Sequence, residues 1–128
     1  MKKKAARKRL KPCPKSPNCV SSQAKDKKHF IEPIQFGKSQ KATHKHLLEI
    51  ITAMPRTKII ANQNNYIRAE CASLLFRFVD DLEFVFDAVK KIIHVWSASR
   101  IGYSDLGVNR KRLETIRRKF RTAITENS

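Results

Sequence analysis

The sequence predicts an α+β fold: an antiparallel β-sheet of about four to six strands with two main helices packed on one face. Two observations predict it. One apolar stripe of helical period falls in the first half of the chain and a second closes it. Between them lie several short apolar or alternating segments, most of which read as strands, an order that favours antiparallel neighbours. The length of 128 residues and the apolar share of 41% suit one domain with one core.

In chain order, residues 1–11 (MKKKAARKRLK) have no apolar periodicity and read as a disordered basic arm, leaving 12–128 as the domain. Residues 12–22 (PCPKSPNCVSS) contain three prolines and an Asn, which suit neither a helix nor a central strand, so an extended or turning loop is expected. A polar connector follows to residue 40, with a short strand around His29–Ile34. Ser39 can cap a helix over Lys41–Met54, whose Leu47, Ile50, Ile51 and Met54 form one stripe, and Pro55 ends it. Thr57–Ala61 and Tyr66–Cys71 read as strands around an Asn62–Asn65 turn. Leu74–Val79 suits a helical turn or a strand equally. Glu83–Val89 and Ile92–Ala98 form a hairpin turning near Lys90-Lys91. Phe84 and Phe86 share one face of it, Ile93 and Val95 share a face of the next strand, and His94 and Trp96 take the other. Leu113, Ile116, Phe120 and Ile124 give the buried stripe of a C-terminal helix.

The net charge of +17 is unevenly spread. Residues 1–28 carry +10, residues 29–99 carry +2 and residues 100–128 carry +5. Basic ends attract polyanions such as nucleic acid, anionic lipid or an acidic protein, and they also aid solubility. Both the arm 1–11 and the C-terminal helix are candidates for such contact. No apolar run is long enough to span a bilayer. Met1–Leu10 resembles the charged front of an export signal, but Lys11-Pro12-Cys13 follows where an apolar stretch belongs, which argues for a cytoplasmic chain.

Cys13 and Cys19 bracket five residues, two of them prolines. Such a loop can close a disulfide, whereas a chain without an export signal would keep two thiols. Zinc is disfavoured by the spacing and by the lack of two further ligands, so no metal or other cofactor is expected. Cys71 reads as a small buried residue. Residues 97–112 link the last strand to the last helix and hold Gly102 and Gly107, so two sharp turns are expected. Ser104, Asp105 or Asn109 can cap that helix. With Asn109 as cap, Arg110, Lys111 and Arg112 would crowd a positive helix end and call for a carboxylate or a bound anion; with Asp105 the conflict largely disappears. Asp80-Asp81 suit salt bridges better than acid–base chemistry. The four histidines are scattered, and no nucleotide, zinc-protease or serine-hydrolase motif is present.

Three stretches together resemble the domain-of-unknown-function 1499 family: residues 13–22 (CPKSPNCVSS), 78–84 (FVDDLEF) and 97–112. The resemblance covers roughly residues 12–122. It implies a mostly bacterial family without an established activity, in which many members carry an export signal or membrane helices. That context places the chain at the cell envelope and suits paired cysteines. Matching the motifs selects one polar cluster: Asp80 and Asp81 pairing with Arg100, Arg110 or Arg112, beside Ser97, Ser99, Tyr103, Ser104, Asp105 and Asn109. It would be either a structural network or a polar ligand pocket, with no catalytic residue assigned. Three readings follow: a non-catalytic domain binding an anionic or polar ligand near that junction, a sequence-indifferent binder of nucleic acid or anionic membrane, and an enzyme of unknown reaction.

Overall fold

The structure is a computed structural model that describes residues 10–73, 78–102 and 104–126. The chain runs β1 (Cys19–Ser21), β2 (Ile34–Gln35), α1 (Gln40–Thr52), β3 (Thr57–Gln63), β4 (Tyr66–Ala72), β5 (Val79–Asp87), β6 (Ile92–Ser99) and α2 (Val108–Glu126). Its class is α+β, as expected. The six strands form one antiparallel sheet in the order β1-β6-β5-β4-β3, and β2 pairs with β6 beside β1.

Alternation along the strands builds two layers. Ile67 and Ala69 of β4, Leu82, Phe84 and Phe86 of β5, and Ile93 and Val95 of β6 form one cluster with Leu47 and Ile51 of α1 and Leu113, Ile116 and Phe120 of α2. Both helices therefore lie on one face. On the other face a smaller cluster joins Val85, Trp96, Ala98, Cys19 and Leu10. Because β5 and β6 bury side chains on both faces, they are the most continuously buried strands.

Several boundaries differ from expectation for definite reasons. β1 lies within the proline-rich segment: its prolines precede Cys19, so Cys19–Ser21 is free to pair with Trp96–Ala98. The early strand is Ile34–Gln35, whereas Phe30 contributes only an isolated bridge to Ser21. Asn62 and Gln63 extend β3, and the turn is confined to Asn64-Asn65. β5 starts at Val79, so Asp80 and Asp81 are strand residues. Asp87 Oδ1 accepts the Val89 and Lys90 N–H groups at 3.1 and 3.0 Å, which turns the β5–β6 hairpin near its lysines. Ser39 caps α1, its Oγ accepting from Ala42 N at 3.1 Å. Leu10, read as part of the arm, is buried, and Lys11 Nζ lies 5.1 Å from the Trp96 ring centre. The rest of the arm (residues 1–9), most of the ambiguous segment (Leu74–Arg77) and Tyr103 lie outside the described residues.

Candidate functional site

The pleat of the sheet divides the expected polar cluster in two. Consecutive strand residues point to opposite faces. Asp80 faces the helices, where its Oδ2 accepts from Arg112 Nη2 at 2.9 Å. Asp81 faces the other way, where Arg68 Nη2 reaches Oδ1 at 3.0 Å and Arg100 Nε reaches Oδ2 at 2.9 Å.

Asn109 organises the helix side. It has no exposed surface and lies in the first turn of α2. Its amide nitrogen donates to Asp105 Oδ2 at 2.6 Å, Ser99 Oγ at 2.9 Å and the Asn18 carbonyl at 3.3 Å. Its oxygen accepts from the Ser97 hydroxyl and from Arg112 Nη1, the latter at 3.0 Å. Asn18 in turn donates to the Gly102 carbonyl at 2.7 Å, which ties the cysteine loop to this junction. Asn18 was not among the expected site residues. Its place between proline and cysteine was the available signal, and it reads equally well as an ordinary turn residue.

Asp105 resolves the conflict at the start of α2. Its two carboxylate oxygens accept the Gly107 and Asn109 N–H groups at 2.8 and 3.1 Å. Burial alone would raise this carboxyl; the bonds from the Asn109 side chain and from those two N–H groups outweigh it and leave it below the ordinary aspartate value. Gly102 and Gly107 adopt φ of 88° and 80°, the two sharp turns expected, and Leu106 between Asp105 and Gly107 takes φ 55°. Ser104 Oγ accepts from Leu106 N at 3.2 Å.

Arg110 joins neither carboxylate. Its guanidinium donates to the Phe30 and Lys28 carbonyls at 2.7 and 3.1 Å. Arg117, about two turns further along the same helical face, donates to the Pro33 and Glu32 carbonyls, each at 2.6 Å, and to Glu114 at 2.9 Å. The α2 arginines thus clamp the 28–33 segment against the helix. Backbone carbonyls carry no sequence signature, so these contacts were not foreseeable.

The open face of the sheet carries a balanced lattice. Arg100 also reaches Glu70 at 2.6 Å, and Tyr66 OH donates to Glu83 at 3.0 Å. Asp81 first, then Glu70, hold the Arg100 guanidinium above its ordinary value by hydrogen bonding. Nearby, Ser22 Oγ accepts from Val95 N at 2.8 Å and lies 3.0 Å from His94 Nδ1. Ser22 is buried, and no carboxylate hydrogen-bonds His94 among the described residues, so the pair lacks both an approach and an orienting group for nucleophilic chemistry. Burial lowers the His94 ring value, with Asp87 opposing it.

Cys13 and Cys19 lie at disulfide distance, with Cα atoms 5.7 Å apart. Cys71 is buried with its thiol pushed up by that burial. Among the described residues no group of His, Cys, Asp or Glu is arranged to hold a metal, and no helix is long and apolar enough to cross a membrane.

The outer surface of the helix layer differs from all of this. Lys41 and Lys45 of α1, and Lys111, Arg118, Lys119 and Arg121 of α2, are exposed. None of these six forms an ion pair among the described residues. The acidic residues of the two helices are Glu49, Glu114 and Glu126, and Glu114 is already bonded to Arg117. Lys111, Arg112 and Lys119 also line a cleft of about 280 Å³ together with Met54, Val108 and Ile116.

Fold and site together define a small α+β domain whose polar junction is internally bonded and whose helix layer presents cations outward. The chain belongs to the family described as protein of unknown function (DUF1499), whose profile matches residues 9–120. No curated protein and no solved structure matches it.

Proposed function

We propose that this chain acts by binding rather than by catalysis, and that its partner is a polyanion engaged by the outer surface of the helix layer. The observation that carries this reading is a contrast between two sets of cations. At the strand-to-helix junction, Arg100, Arg110 and Arg112 are committed to Asp81, Glu70, Asp80 and backbone carbonyls. On the helix layer, six exposed cations have no ion-pair partner among the described residues. A ligand at the junction would have to displace charge-assisted bonds, whereas one on the helix layer would displace only water and counterions.

The test is titration of the full chain with a duplex oligonucleotide and with phosphatidylglycerol-containing vesicles at two salt concentrations. Affinity for at least one should fall steeply between about 50 and 200 mM salt, because cation–phosphate contacts release counterions. Arg118→Glu with Lys119→Glu should weaken it about tenfold or more at the lower salt, as reversal of two contacts predicts. An absence of affinity for both probes at low salt would remove the reading.

A further inference from the structure

The exposed apolar side chains are not scattered. Of the six large apolar residues exposed among the described residues, four (Phe78, Ile101, Leu106 and Val108) lie around one end of the molecule. β5 begins immediately after Phe78, and its Asp80 pairs with Ser99, where β6 ends. Phe78 and Ile101 therefore leave the sheet at the same end of its strands, and the turn into α2 carries Leu106 and Val108 from there. Leu106 is 91% exposed and Ile101 56%.

This turn cannot easily hide them. Leu106 holds φ 55°, a left-handed conformation in which its Cβ crowds the following carbonyl oxygen. Ser104 Oγ on Leu106 N, Asp105 on Gly107 N and Asn109 N, and the Asp105 carbonyl on Val108 N at 3.0 Å keep it in place. An apolar tip that the fold holds outward marks an interaction surface. Val108 also lines the cleft that holds Met54, Ile116, Lys111, Arg112 and Lys119, so cations adjoin the apolar tip.

We infer that this end docks on an anionic phospholipid bilayer, with Leu106 and Ile101 entering the apolar boundary and Lys111 and Lys119 meeting the headgroups. The inference rests on the polyanion reading above and names its partner. Charge complementarity selects an anionic surface, and the apolar tip separates lipid from nucleic acid. A phosphodiester backbone offers Leu106 nothing, whereas a bilayer offers anions and hydrocarbon in adjacent layers.

The experiment is co-sedimentation of the full chain with vesicles of phosphatidylcholine alone, or with added phosphatidylglycerol, beside titration with a duplex oligonucleotide. The variant is Ile101→Ser with Leu106→Ser, and its thermal unfolding is recorded to show that the fold is intact. Expected are binding to the anionic vesicles only, a loss of about a hundredfold or more in the variant from two apolar side chains withdrawn, and no change in its oligonucleotide affinity. Anionic-vesicle binding unaltered in the variant overturns the inference while leaving the polyanion reading standing. Oligonucleotide binding without vesicle binding does the same and assigns a nucleic-acid partner. Equal binding to neutral vesicles removes the role given to the lysines. Concentration-dependent self-association that the variant abolishes assigns the patch to a second copy of the chain. Failure to bind either probe removes both readings together.

Discussion

Asn109 shows how one buried amide can decide whether a junction is a pocket or a joint. Its donors and acceptors reach Asn18, Ser97, Ser99, Asp105 and Arg112, so the cysteine loop, β6 and α2 meet on a single side chain. Asn109→Ala would leave several of those groups buried without partners, and a loss of about 3 kcal/mol is expected in urea unfolding. A loss below about 1 kcal/mol would mean that water replaces the amide at little cost. Asp105 gives a second, pH-dependent expectation. Its folded value lies below the ordinary one, so its stabilisation is present above the ordinary aspartate value and is lost as pH falls through the lowered one. Asp105→Asn should therefore be less stable than the parent at neutral pH, and the gap should close on acidification. Denaturant midpoints for both proteins across the acid range check this; a gap that stays constant would deny Asp105 the role. Asp26 and Asp87 are lowered too, first by the His29 side chain and the Lys90 N–H respectively, but both remain in the variant and cancel in the comparison. At this scale the residue types were legible and their sidedness was not. The sequence pattern places a strand from Glu83 onward and leaves Asp80 and Asp81 outside it. Once β5 starts at Val79, alternation sends the two carboxylates to opposite faces.

Among the elements, those with strong periodicity were legible and those held by long-range contacts were not. The stripes Leu47–Ile51 and Leu113–Ile116–Phe120, and the alternation of Phe84 with Phe86, lie where the pattern placed them. β1 and β2 have three and two residues, too few to show any period, and they are strands because β6 offers them an edge. β1 depends on its covalent surroundings as well. Cys13 and Cys19 close the loop that leads into it, and Asn18 inside that loop bonds to Gly102. Closing so short a loop restricts the unfolded chain, and Cys13→Ser with Cys19→Ser should lower stability by about 2 kcal/mol on the chain-entropy account. Reductant should shift the thermal midpoint of the parent in the same direction and leave the double variant unmoved. A parent that ignores reductant would show that the thiols do not bridge in the purified protein.

The whole molecule has two unlike faces. The open face of the sheet pairs Arg68 and Arg100 with Glu70 and Asp81, so charge there is largely balanced. The helix layer directs Lys41, Lys45, Lys111, Arg118, Lys119 and Arg121 outward. Composition revealed the size of the positive charge but could not reveal this asymmetry, because the carboxylates that neutralise Arg100 and Arg112, and the backbone carbonyls that hold Arg110, come from distant segments. The sheet order has a temporal consequence. β1 and β2 are the first strands to be synthesised, yet both pair with β6, the last. A ribosome would release the cysteine loop long before Trp96–Ala98 exists to receive it, while the β3–β4 and β4–β5 neighbours could associate as they emerge. The cysteine loop, β1 and β2 must therefore wait, exposed to oxidants and to other chains, until β6 has been made.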